Sequence, residues 1–263
     1  MIDWRHWHNE PFLTGGLILV GWLYAILAGP LRMRLAPGTP YPGRSAALFY
    51  SGLAVFYLSV GSPLDQVGER FLLSAHMLQH MLIMYPVPFL LLLGTPAWMI
   101  DPVLSAPSLR PALRMLLSPF TCGLVSTVVI SVWHAPFLYE WTLQDKLVHV
   151  SEHLMFLAVS LLYWWPIMSP SAVFPAPSYP VRMIYICATE VGMIPVSAYV
   201  VFAGYVLYPT YEFAPRLFAG FSPADDQLVA GILMKVTGMA VSLTAMFVFF
   251  FRWSRLSGAG RPG

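Results

Sequence analysis

Apolar residues gather into seven long runs, roughly 13–30, 45–61, 71–94, 118–134, 147–168, 183–207 and 228–251, separated by short polar stretches. Most approach the ~20 residues at which a helix rising about 1.5 Å per residue crosses the hydrocarbon core of a bilayer. The pattern predicts an all-α, polytopic membrane protein of seven transmembrane helices, folded as a single domain over 1–263. The runs at 45–61 and 118–134 are short for a crossing, so either one is expected to tilt little or to re-enter. Pro86, Pro88, Pro166 and Pro195 fall inside runs, where each removes a backbone donor and permits a bend. Residues 1–12 read as an outer N-terminal segment and 256–263 as a mobile inner tail. The opening MIDWRHWHNEPF lacks a basic leader, and Arg32 and Arg34 follow the first apolar run, which makes that run an uncleaved span.

Composition supports the membrane assignment. The chain is 58% apolar and only 10% charged, where soluble domains carry about a quarter charged residues. A net charge of +2 leaves no basic patch for nucleic acid. Charge placement instead sets orientation. With the N-terminus outside, nine arginines fall on inner segments against Arg5, Arg70, Lys146 and Arg216 on outer ones, so the positive-inside rule favours N-out/C-in.

Polar residues inside these runs carry the candidate chemistry. His76 and His80 lie at i and i+4 in the third run, and His149 and His153 repeat that spacing in the fifth. Such a pair shares one helix face about 6 Å apart along the axis, so both rings can aim at one centre. In the N-out arrangement the fourth span delivers His134 to the same outer layer. Five imidazoles in one layer suggest a metal or haem site. His6 and His8 read more simply as part of a flexible terminus. Glu152 lies between His149 and His153 but is placed on a neighbouring face, as an accessory group. Asp65, Glu69, Asp225 and Asp226 are carboxylates near the layer that can orient a ligating ring, with helix capping equally open for Asp225 and Asp226.

Met77, Met81 and Met84 surround the first pair, Met155 flanks the second, and Met234 and Met239 lie on the seventh run. Thioethers favour Cu(I) over zinc, although methionine is also a common gap-filler. Cys122 and Cys187 sit far apart in apolar runs and form no CxxC, so neither a disulfide nor a thiolate cluster is expected. Glu190 and Lys235 lie deeper and are expected to form a buried ion pair, with a proton path or metal route as alternatives. Neither HExxH nor GxSxG occurs, and no catalytic residue is assigned.

The segments HMLQHMLIMYPVPFLLLLGTP, SVWHAPFLYE, HVSEHLMFL and DQLVAGILM together resemble the CtaG family of cytochrome c oxidase assembly factors, over roughly residues 45–250. The resemblance implies about seven spans and a part in building the copper-containing oxidase of the respiratory chain. By position it also implies His76, His80, His134, His149, His153, Asp226 and Met234 as the functional set. Lys235 departs from the tryptophan expected there. The expected activity is that of a copper-binding metallochaperone, not an enzyme, in the bacterial cytoplasmic (inner) membrane. It would handle Cu(I) or Cu(II) between a copper donor protein and the copper-containing oxidase subunit, with the lipid bilayer around it and a homodimer as a further expectation. A bis-histidine haem electron carrier and a metal- or proton-coupled transporter are the alternatives.

Overall fold

A computed structural model describes residues 4, 5 and 7–259, and these contain helices and connecting turns but no strand. In chain order the helices are α1 (Pro11–Leu35), α2 (Gly43–Gly61), α3 (Pro63–Arg70), α4 (Leu73–Leu93), α5 (Ala97–Leu104) and α6 (Arg110–Leu116). Then follow α7 (Pro119–Trp133), α8 (Pro136–Gln144), α9 (Lys146–Met168), α10 (Tyr179–Phe202), α11 (Pro209–Phe213) and α12 (Pro223–Ala259). Five of them, α1, α4, α9, α10 and α12, are long and apolar enough to cross a membrane. Two bent pairs, α2 with α3 at 43° and α6 with α7 at 63°, raise the number to as many as seven if each pair is one span. Those pairs contain the two runs that the sequence marks as short.

Proline explains where many of these elements start and break. Pro11, Pro63, Pro119, Pro136 and Pro209 occupy the first turn of their helices, where a missing N–H leaves nothing unsatisfied. Inside α4, Pro86 and Pro88 break the helix at Tyr85 (φ −112°, ψ −72°). Pro88 cannot donate to the carbonyl four residues back, and that carbonyl, Met84, accepts instead from the Trp164 indole N–H at 2.9 Å. Thus α9 supplies the hydrogen bond that α4 loses, as an apolar environment requires. A π-helical turn at Leu27–Leu31 surrounds Pro30 in α1, and α10 breaks at Met193 just before Pro195.

Helix α4 is the central element. It packs against α2, α3, α9 and α12, and half of its apolar window is buried, against 17% for α1 and for α12. Its polar side chains therefore face protein, where partners can be supplied, rather than lipid. At its end the Tyr24 hydroxyl donates to the Gly94 carbonyl at 2.8 Å. Two ends differ from expectation. Helix α12 runs from Pro223 through Ala259, past residue 256, while residues 260–263 lie outside the described residues. Helix α10 stops at Phe202, and Gln227 holds the segment that follows, accepting from Leu207 N at 2.7 Å and donating to the Tyr205 carbonyl at 3.1 Å.

A methyl group at Gly94 would lie 2.5 Å from the Phe49 backbone nitrogen, which cannot move aside as a side-chain end would. Gly94→Ala is expected to destabilise the fold by about 1–3 kcal/mol, the usual cost of overpacking, and to lower the thermal midpoint in detergent.

Candidate metal centre

The two histidine pairs face each other across the contact between α4 and α9. His76 and His80 project from α4 with ring centroids 4.4 Å apart, and His149 and His153 project from α9 at 4.2 Å. Across the helices, His76 lies 5.3 Å from His149 and 5.8 Å from His153, and His80 lies 5.5 Å from His153. Donor atoms of His76, His149, Glu152 and His153 all fall within 4.8 Å of one another. His80 borders this group, with its Nε2 3.8 Å from Glu152 Oε1. His134, the residue capping the end of α7, is less close, at 6.0 Å from the His80 ring.

Glu152 requires a correction. A residue at i+3 from His149 shares its face, so Glu152 points into the cluster instead of onto a neighbouring face. Its carboxylate is fully buried, 3.7 Å from His76 Nε2 and 3.8 Å from His80 Nε2. Among the described residues, both Glu152 oxygens lack a hydrogen-bond partner, as do the Nε2 atoms of His76, His80, His134, His149 and His153. A buried carboxylate and imidazoles without donors or acceptors are costly. They form the donor set that a cation would satisfy.

Second contacts fix which ring nitrogen is free. The Tyr211 hydroxyl donates to the Gly68 carbonyl at 2.7 Å, so His76 Nδ1, 3.1 Å away, must be the donor to the tyrosine oxygen. Burial pushes the Tyr211 phenol well above its ordinary range, which keeps its proton in place. His134 donates its Nδ1 proton to the Ile130 carbonyl at 2.7 Å. His149 Nδ1 contacts Glu69 at 2.5 Å, the carboxylate role expected around a ligating histidine. Each arrangement leaves an Nε2 lone pair for the centre. Gly68 also permits the packing of α3 on α4, since a Cβ there would meet the His76 Cα at 3.0 Å.

The remaining sequence candidates lie outside this donor group. Asp226 accepts from Leu73 N at 2.6 Å and Ser74 N at 3.1 Å, so it caps α4 from across the interface. Met77 is fully buried in an apolar cluster with Leu73, Tyr139 and Tyr208, outside the donor group. Met84 and Met234, with Met81 and Met193, line a cavity of about 50 Å³ that reaches from His134 and Ser160 to Glu190 and Lys235. Glu190 and Lys235 pair at 3.0 Å, with Ser242 donating to Glu190 at 2.7 Å; the pair is partly exposed rather than sealed. His8 is not part of a free terminus: its backbone N–H donates to the Gly61 carbonyl and its ring lies 2.9 Å from Asp65. His6 lies outside the described residues.

These features define a membrane-embedded helical protein with an internal histidine–carboxylate centre. A profile of the cytochrome c oxidase caa3 assembly factor family (Caa3_CtaG) matches residues 22–256, and the chain belongs to that family. Searches among curated proteins and among solved structures return no match.

Replacing Tyr211 by Phe removes the acceptor for His76 and leaves the Gly68 carbonyl unpaired. The expected cost is about 1–3 kcal/mol, the penalty for an unsatisfied buried group. It is read as a lower thermal midpoint of the purified protein with unchanged helix content.

Proposed function

We propose that this caa3-type assembly factor receives a copper ion on the extracytoplasmic side of the bacterial cytoplasmic membrane and passes it to the copper-containing subunit of a nascent cytochrome c oxidase. The observation that carries this reading is the convergence of buried, partnerless Nε2 atoms on the Glu152 carboxylate. Neutral imidazoles with a carboxylate suit copper in either oxidation state, and a donor protein would hand over the ion by ligand exchange. No bond-making reaction is required, so the role is that of a carrier.

Haem is less well supported. A porphyrin needs a pocket of roughly 300 Å³ or more, whereas the cavity beside His134 holds about 50 Å³ and Phe156 packs edge-on against His80 and face-on against His134. The topology that goes with this function counts each bent pair as one crossing, giving seven spans with the N-terminus outside. The cluster then lies near the outer leaflet, within the first turns of α4 and α9.

Elemental analysis of the purified protein is expected to find copper, reduced at least tenfold in His76→Ala and in His149→Ala, with no Soret absorption in any of them. A Soret band in the wild type would favour the haem carrier instead. Reporter fusions are expected to place the N-terminus outside and the C-terminus in the cytoplasm; the opposite result would put the cluster at the wrong leaflet for delivery.

A further inference from the structure

A second set of donors lies immediately outside the centre and shares a residue with it. Asp65, Glu69 and His149 bring donor atoms within 4.8 Å of one another, and His8 Nδ1 lies 2.9 Å from Asp65. A cation already occupies the point where they converge. The Lys146 ammonium is 3.3 Å from Glu69, 3.5 Å from Asp65 and 3.3 Å from His8 Nδ1.

Lys146 is poorly placed for any helical purpose. It is the first residue of α9, behind the Asp145 cap that accepts from Leu147 N and Val148 N. The positive end of a helix dipole disfavours an ammonium there. Its contacts are the two carboxylates and the imidazole, and with 41% of its side chain exposed it can swing into water while Asp65, 2% exposed, stays behind. Gln79 fixes Asp65 by donating to Oδ1 at 2.6 Å, and its own carbonyl oxygen is buried with no partner at this spot. On the inner side, His149 turns Nδ1 to Glu69 and leaves its buried Nε2 without a partner.

We propose that Asp65, Glu69 and His8 form an outer loading station for a divalent copper ion, which displaces the Lys146 ammonium and moves on to the inner centre by way of His149. The inference rests on reading the inner cluster as a copper centre. Oxygen and imidazole donors suit Cu(II), and contacts of 3.3–3.5 Å to an ammonium must shorten to about 2 Å around a small metal ion. The exchange balances: Lys146 leaves with its proton still attached, His8 gives up its Nδ1 proton to water and takes one back on Nε2 so that it binds as neutral imidazole, and the ion keeps its oxidation state. Glu69 can hold the His149 N–H with one oxygen while the other contacts the metal, since a carboxylate offers several lone pairs.

The test loads the full-length protein in lipid nanodiscs with Cu(II) alone, following uptake by stopped-flow and the bound ion by electron paramagnetic resonance. Lys146→Met is expected to load at least tenfold faster than wild type, and His8→Ala and Asp65→Asn at least tenfold slower, with the His76-dependent copper still reached at the end. In a His76→Ala background, which keeps little copper as purified, added Cu(II) should still give a signal from the outer station, lost when free Cu(II) is removed and absent when Asp65→Asn is added. Loading within twofold of wild type in both Lys146→Met and His8→Ala, neither of which removes a fully buried group, overturns the loading station and leaves the inner copper centre standing. A wild type that binds no copper overturns the copper reading itself, and the loading station with it.

Discussion

The buried carboxylate of Glu152 is the constraint around which the rest of this molecule is arranged. It is fully buried, has no hydrogen-bond partner among the described residues, and lies 3.7 and 3.8 Å from the Nε2 atoms of His76 and His80. Taking a carboxylate out of water costs several kcal/mol even after relaxation unless a positive partner is close. The surrounding elements hold the imidazoles on it. Gly68 lets α3 approach the His76 backbone, Tyr211 pins the ring, and Asp226 caps α4 where Leu72 offers no side-chain oxygen. These three residues come from α3, α11 and α12, so the centre depends on packing along the length of the chain.

The same α4 that carries two of the histidines is broken by two prolines about two turns below His80. An apolar setting leaves no water to satisfy the freed carbonyls, and the Trp164 indole does so for Met84. That bond ties α9 to α4 beneath the cluster, while the ring contacts tie them within it. The pair is held at two heights, which fixes the relative rotation of the helices and therefore which faces meet.

Spacing made part of the centre legible in the sequence. An i, i+4 histidine pair has one geometric meaning on a helix, and two such pairs in membrane-length runs indicated the contact between α4 and α9 without reference to any long-range interaction. The short runs at 45–61 and 118–134 likewise became the bent pairs. Glu152 was visible but misplaced, since i+3 belongs with i and i+4 on the same face. Tyr211, Gly68 and the cross-helix cap of Asp226 were not legible, because each acts on residues far away along the chain, 135 positions in the case of Tyr211 and His76. No local pattern marks such a partner. His8 failed for a related reason: a polar stretch before a span looks mobile until Asp65 and Gly61 are found beside it.

Donor chemistry divides the interior more sharply than the sequence suggested. Methionines dispersed around the histidines read as a mixed sulfur and nitrogen site, yet the fold sorts them. Imidazoles and carboxylates face one another between α4 and α9, while Met81, Met84, Met193 and Met234 gather around the cavity below His134. Helix geometry accounts for the sorting. Met84 is one turn below His80 on the same face, where the break at Tyr85 begins, and it packs both on Met234 of α12 and on Phe156 and Val159 of α9. The two chemistries thus occupy neighbouring levels of the bundle, and His134, which lines the cavity and lies 6.0 Å from the His80 ring, adjoins both.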